Sequence, residues 1–129
     1  MEDKQLIDAL NIWVNTMKNG EPEKVAELYL DDGLQFWGTM AKDLATNKEN
    51  AIAYFRHFLS GKENLDIEIT SQEIRAYEKT GLISGLYNFH FNHNGTRQTV
   101  KARYSFIFEE INGNILIANH HSSQIPNNG

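Results

Sequence analysis

Cysteine is absent from these 129 residues and proline occurs only twice. Without a thiol there is no disulfide framework, no thiolate nucleophile and no thiolate metal ligand. Positive charge is also short: twelve Lys and Arg against seventeen Asp and Glu give a formal charge of -5. The cations are scattered with no basic stripe, so electrostatic binding to nucleic acid or an anionic membrane is not expected. The N-terminus carries amphipathic alternation where a secretory signal would carry an apolar block, and a cytoplasmic location is the expectation. A length of 129 residues leaves no room for a second core, so residues 1–129 are read as one domain. Asn94-Gly95-Thr96 matches a glycosylation acceptor in form but reads as turn chemistry.

The first half of the chain is helical in pattern. Leu6, Ile7, Leu10, Trp13, Val14 and Met17 fall on one stripe of a helix of about four turns, which Gly20 ends. Pro22 suits a first helical turn. Val25, Leu28 and Tyr29 then form the inner face of a short second helix stopping at Asp31-Asp32-Gly33. Leu34 to Trp37 is a first strand and Gly38 to Ala45 is irregular. Thr46 with Glu49 has capping-box spacing ahead of a third helix carrying Ile52, Phe55, Phe58 and Leu59, closed by Gly61.

The second half reads as a meander of strands. Leu65, Ile67 and Ile69 alternate with polar residues, whereas Ile74 and Ala76 have the opposite parity, so a bulge or bend is required near Ser71. Strands over Leu82–Asn92, Thr96–Glu110 and Ile115–Gln124 follow, joined by turns at Asn94-Gly95 and Asn112-Gly113. The expected architecture is α+β: a cone-shaped, curved antiparallel sheet of about five to six strands packed on three N-terminal helices, its open mouth a ligand cavity.

The final strand ends in Asn119-His120-His121-Ser122-Ser123, after a strand carrying Arg103. A two-residue turn at Asn112-Gly113 sets Ile111 opposite Asn114. Counting back places Arg103 opposite Ser122 and Ser105 opposite His120, all four on one face. A two-residue turn at Asn94-Gly95 puts Tyr87 on the other face, and a bulged three-residue turn puts it beside Arg103. Arg103 also admits a plain reading as a surface residue paired with Glu68 or Glu109. His120 and His121 point to opposite faces, so one of them lines a cavity at most. His90 and His93 lie three apart on a strand and therefore on opposite faces, with no thiol or convergent carboxylate, so no metal site is expected. Trp37 fits either a pocket wall or core. Tyr104, Phe106 and Phe108, with Val100, make the face opposite Arg103 apolar, and a second copy packing on that face would cover it.

Several strings resemble the nuclear transport factor 2-like superfamily, and within it the SnoaL-like proteins and the calcium/calmodulin-dependent protein kinase II association domain. They are Ala26-Glu27-Leu28-Tyr29 with Asp31-Asp32-Gly33, Ser84-Gly85-Leu86-Tyr87, Ala102-Arg103-Tyr104-Ser105-Phe106 and Asn119-His120-His121-Ser122-Ser123-Gln124-Ile125-Pro126. The resemblance spans nearly the whole chain and implies a self-assembling domain, a homodimer or larger ring, with a deep pocket between the first helix and the sheet. In association domains arginines line that pocket. One falls on Arg103, whereas Tyr87 and Ser122 stand near the places of the others, so the pocket here is expected to be less cationic. The resemblance also favours the bulged Asn94-Gly95 turn.

With no nucleotide loop and no kinase catalytic loop, kinase activity is not expected of the chain. The superfamily includes isomerases, cyclases and dehydratases that use a pocket carboxylate or an Asp-His pair. Here Gln35, Phe36 and Trp37 stand where a ketosteroid-isomerase-like aspartate would lie. The functional expectation is an oligomerising domain whose pocket is built on Trp37, Tyr87, Arg103, His120 and Ser122, needs no cofactor and takes a small carbonyl or carboxylate compound. The alternative is an enzyme using His120 as base with Arg103 as oxyanion stabiliser.

Overall fold

A computed structural model describes residues 1–126; the last three residues of the expected domain lie outside the described residues. Helix α1, Asp3–Asn19, buries Leu6, Leu10, Trp13, Val14 and Met17, the stripe expected from its spacing. Gly20 caps it in the left-handed region at φ 76°, where a side chain would be strained, and its amide donates to the Met17 carbonyl over 3.1 Å. Helix α2, Pro22–Ala26, has its proline in the first turn, where no amide partner is lost. Strand β1, Asp32–Trp37, and the short β2, Ala45–Asn47, lead into α3, Lys48–Leu59. Asn47, not Thr46, caps α3: its side chain accepts from the Asn50 amide at 2.8 Å. Thr46 is held instead in β2, a strand too short to leave a pattern in the sequence.

Four long strands complete the chain: β3, Glu63–Ala76; β4, Thr80–His93; β5, Thr96–Ile111; and β6, Asn114–Gln124. The sheet order is β2-β1-β6-β5-β4-β3, curved and unclosed, with every pairing antiparallel except β1 against β6. The pairing of β3 with β4 shifts between Ile69 and Ser71, the bulge the change of parity requires. Leu65, Ile67, Ile83, Tyr87, Phe89, Ala102, Tyr104, Phe106 and Phe108 all sit in one core with the helices.

This corrects the expected use of the Phe106 face. Tyr104, Phe106 and Phe108 are 3, 0 and 1 % exposed in the single chain, because α1 lies over that side of the sheet and Trp13 meets Phe106 edge to face at 5.2 Å. The apolar face is therefore the domain's own core, and no second copy is needed to cover it.

Both hairpin turns are two residues long: His93 pairs with Thr96 and Ile111 with Asn114, and all four turn residues have positive φ, as a type I′ turn demands. The expected bulge at Gly95 is absent, so Tyr87 pairs with Ala102 and faces away from Arg103. A second shift lies in β6, where Phe108 pairs with Ile117 but Ile107 with Asn119, leaving Ala118 as the extra residue. Its physical cause is a change of neighbour. Ile117 exchanges backbone hydrogen bonds with Leu28 and Leu30, whereas residues 119–121 pair with β1. Ala118 stands at the handover, and the parity of everything after it is reversed. Arg103 consequently pairs with Ser123 and Tyr104 with Ser122, which overturns the expected placement of Arg103 opposite Ser122 and Ser105 opposite His120.

Gly85 is fixed by close approach at the first bulge. A Cβ there would run into the Ser71 carbonyl, a backbone group that cannot swing aside. Gly85→Ala is expected to cost about 1–3 kcal/mol through overpacking, read as a lower urea midpoint with an unchanged m-value; an unaltered midpoint would mean that the bulge yields freely.

Candidate functional site

Because of the shift at Ala118, His120 and Ser122 turn inward, where among the described residues they are the buried polar side chains besides the tyrosines and tryptophan; they are 1 and 4 % exposed. The His120 ring lies between Phe106, at 3.9 Å and 15° between planes, and Phe36, at 4.9 Å and 16°, with Trp13 edge-on at 5.3 Å. Burial holds the imidazole well below its usual pKa, with the neighbouring His121 adding to the effect, so the ring is neutral at physiological pH.

The hydrogen bonds around it have a single direction. The Trp13 indole, which can only donate, gives its proton to Tyr29 Oη at 3.2 Å. Tyr29 in turn has His120 Nδ1 at 2.8 Å, so Nδ1 accepts and the ring proton sits on Nε2, which faces Tyr87 Oη at 3.3 Å. Tyr87 donates to Ser122 Oγ at 2.5 Å, and Ser122 Oγ shares a further hydrogen bond with Thr39 Oγ1. A wire thus runs Trp13, Tyr29, His120, Tyr87, Ser122, Thr39 from α1 across the core to the segment after β1. Among the described residues no buried side-chain nitrogen or oxygen lacks a partner. Burial also raises the Tyr29 and Tyr87 hydroxyls far above their ordinary pKa, so the whole cluster is uncharged.

Of the five residues expected to form the site, the structure brings Tyr87, His120 and Ser122 together and turns Arg103 and Trp37 away. Arg103 is exposed on the outer face, where its Nε donates to Ser123 Oγ at 2.8 Å. It lines a groove of about 510 Å³ with Glu73, Leu86, Ser105 and His121. Trp37 is 39 % exposed on the same outer face, beside His121 through the parallel pairing of β1 and β6. The space between α1 and the sheet, where a deep pocket was expected, is occupied by the rings of Trp13, Tyr87, Phe106 and His120.

Sequence reasoning missed Tyr29, Trp13 and Thr39 as partners of the cluster. Tyr29 and Trp13 read correctly as buried, but nothing in a buried aromatic's spacing says what its polar atom meets. Among the described residues no three His, Asp or Glu side chains gather as a metal ion would need. His90 is engaged by Thr99 at 2.8 Å and Glu68 at 3.0 Å, and His93 donates to the Gly61 carbonyl at 3.1 Å. No helix is long and apolar enough to cross a membrane.

A curved, unclosed six-stranded sheet wrapped on three helices, with a polar cluster inside the cone, defines the nuclear transport factor 2-like class of α+β domain. The chain belongs to the SnoaL-like family, whose domain profile matches residues 6–128. Among solved structures it is similar to a protein of Xanthomonas campestris provisionally described as a calcium/calmodulin-dependent protein kinase II association domain, at 30% identity and TM-score 0.90, over 98% of this chain and 90% of that one. It also resembles a protein of Streptomyces avermitilis provisionally described as a dehydratase of the NTF2-like family, at 13% identity and TM-score 0.83 over 95% and 96% of the two chains. The association domain of the kinase from Caenorhabditis elegans matches at 14% identity and TM-score 0.76, over 93% of each chain. At 13 and 14% identity the likeness is one of fold alone. No curated protein matches the chain.

The buried neutral imidazole fixes a pH dependence. Folded His120 resists protonation, whereas in the unfolded chain it takes up a proton near pH 6.5. Its folded pKa is depressed, so stability is highest above about pH 6.5 and falls as the pH drops from there toward the folded value, by up to about 1.4 kcal/mol per pH unit. Chemical denaturation at pH 7.5, 6.0 and 5.0 is expected to show this slope in the wild type and a shallower one in His120→Gln; parallel slopes in the two proteins would refute the burial argument.

Proposed function

We propose that this protein is a self-associating, ligand-holding domain: two copies meet across the outer face of the sheet, and the interior cluster around His120 serves a small molecule. The observation that carries the first half is the uncovered sheet face. All three helices pack on the Phe106 side. Leu82, Leu86, Ile107 and Leu116 are left on the other side together with Trp37, and Leu86 is 40 % exposed. Polar Ser84, Ser105 and Ser123 interrupt this patch, the mixture found in interfaces that form between folded partners. The groove in its middle has Arg103 toward β6 and Glu73 on β3, so a copy related by a two-fold axis can offer each charge its opposite. Likeness to a described association domain at 30% identity supports the same reading.

Catalysis is the weaker reading. His120 has no carboxylate behind it, both ring nitrogens are engaged by tyrosines, and Arg103 lies on the opposite side of the sheet. The expected pairing of the two as base and oxyanion stabiliser therefore has no geometric support.

Leu86→Asp with Ile107→Asp places two carboxylates in the outer patch without touching the core. Size-exclusion chromatography with light scattering is expected to give at least twice the chain mass for the wild type and the single-chain mass for the variant, with unchanged circular dichroism. A wild type that elutes as a single chain at 100 μM would overturn the self-association half.

A further inference from the structure

Away from the core, a further chain of side-chain hydrogen bonds joins a carboxylate, an imidazole and a hydroxyl on three adjacent strands. Glu68 Oε1 of β3 lies 3.0 Å from His90 Nε2 of β4, and His90 Nδ1 lies 2.8 Å from Thr99 Oγ1 of β5. His90 and Thr99 are directly paired in the sheet, and Glu68 is paired with Asn88, the next residue of β4 on the same side. The Asn88 amide donates to the same Glu68 oxygen at 3.3 Å. These residues occupy the outer face near the β4–β5 turn. His90 is four residues from Leu86, about 13 Å along the strand, and lies outside the patch assigned above to a second copy.

The carboxylate fixes the direction of the chain. An ionised carboxylate only accepts, so the neutral ring carries its proton on Nε2 and leaves the Nδ1 lone pair to the Thr99 hydroxyl, which donates. His90 and then Asn88 hold the Glu68 carboxyl below its usual pKa, so it is ionised at neutral pH. A hydroxyl whose proton is aimed at an imidazole, with a carboxylate setting the tautomer from behind, is the arrangement that activates a nucleophile. Stability does not account for it: the side chains of Glu68 and His90 are 55 and 26 % exposed, where an ion pair adds little.

We propose that Thr99 is a nucleophile toward small activated acyl compounds, the esters or thioesters of short acids, with His90 as its general base and Glu68 as the positioning residue. Thr99 Oγ1 forms a bond to the acyl carbon as its proton passes to His90 Nδ1. The tetrahedral adduct then breaks the bond to the leaving oxygen or sulfur, which departs with the electron pair and takes up the proton from His90. Water adds to the acyl-threonine in the second half, giving a proton to His90, which returns it to Thr99 as the acid departs. Lys101 stands two residues along β5 on the same side, about 6.7 Å by strand rise, and supplies a mobile cation for the oxyanion. The Thr99 hydroxyl is exposed on an open face, which suits a small acyl group with a good leaving group. The site shares no residue with the His120 cluster and is independent of the function proposed above.

The probe is p-nitrophenyl acetate, with release of p-nitrophenolate followed at about pH 8 and the acetylated residue read by peptide mass spectrometry. Thr99→Val and His90→Gln are each expected to lower the protein-dependent rate by about tenfold or more and to lose the acetyl group at residue 99. Thr99→Ser keeps the hydroxyl and is expected to retain both, and His93→Gln, a histidine outside the chain, is expected to change neither. Glu68→Gln is expected to lower the rate several-fold at an unchanged melting temperature, while the ring-nitrogen NMR shifts of His90 lose the Nε2–H tautomer of the wild type. A wild type with the ring proton on Nδ1 would overturn the base assignment. A rate that falls in His90→Gln but not in Thr99→Val would make the imidazole itself the nucleophile and overturn the role of Thr99. Equal rates in all these proteins would overturn the site. The substituted side chains lie outside the core, so folding does not decide the outcome.

Discussion

A neutral imidazole between two phenyl rings is the interaction on which the rest of the interior depends. Phe106 belongs to β5, Phe36 to β1 and His120 to the strand between them, so the sandwich fixes three adjacent strands at once. Each ring contact contributes about 0.5–1.5 kcal/mol beyond the area it buries. The cost of enclosing two ring nitrogens is larger unless both are bonded, and an unpaired buried group loses about 1–3 kcal/mol. That requirement sets the surroundings. One tyrosine must come from below the sheet on the α2 side and another from β4, each needs a partner for its own oxygen, and Trp13 and Ser122 serve. Helix α1 is thereby tied to the sheet by a directed bond as well as by apolar packing, which restricts its rotation more than apolar packing alone.

The bulge at Ala118 separates the chemistry of the two faces. Had Ala118 paired regularly with Ile107, Asn119 and His121 would turn inward and His120 would face outward, on the side of Arg103. As built, the charged and exposed groups Arg103, Glu73 and His121 share the outer surface, and the interior holds only groups that carry no charge near neutral pH. In the proposed function, self-association would use the charged face and a guest the uncharged one. Charges on an interface confer specificity and association rate, whereas inside a narrow aromatic cone they would have to be desolvated.

Much of this was legible from residues alone. The stripe on α1, the proline start of α2, both type I′ turns and the parity change in β3 are local signals, set by helical period, by the φ values Asn-Gly permits or by alternation. They carried the fold class, and the quoted strings carried the family. The failures were of another kind. Thr46 is not the cap because Asn47, one residue further on, offers its side chain to the Asn50 amide, and no three-residue strand announces itself. Counting from Asn112-Gly113 gave the correct pairing as far as Phe108 and then failed, since no glycine or proline marks Ala118 and its cause lies some ninety residues away at Leu28 and Leu30. At Asn94-Gly95 the resemblance favoured a bulge where the dipeptide alone indicated the tight turn that forms.

Those two errors have a common consequence for the site. A single residue of register moves a side chain across the whole thickness of the sheet, so Arg103 can be aligned with a pocket arginine in sequence and still lie outside the cone. What takes its place inside is not another cation but a set of hydroxyls ordered by one indole and one imidazole. Family membership therefore predicts the cone of this protein better than the contents of the cone. The contents follow from which residues β6 turns inward after Ala118, and those are a neutral histidine and a serine that joins Tyr87 to Thr39.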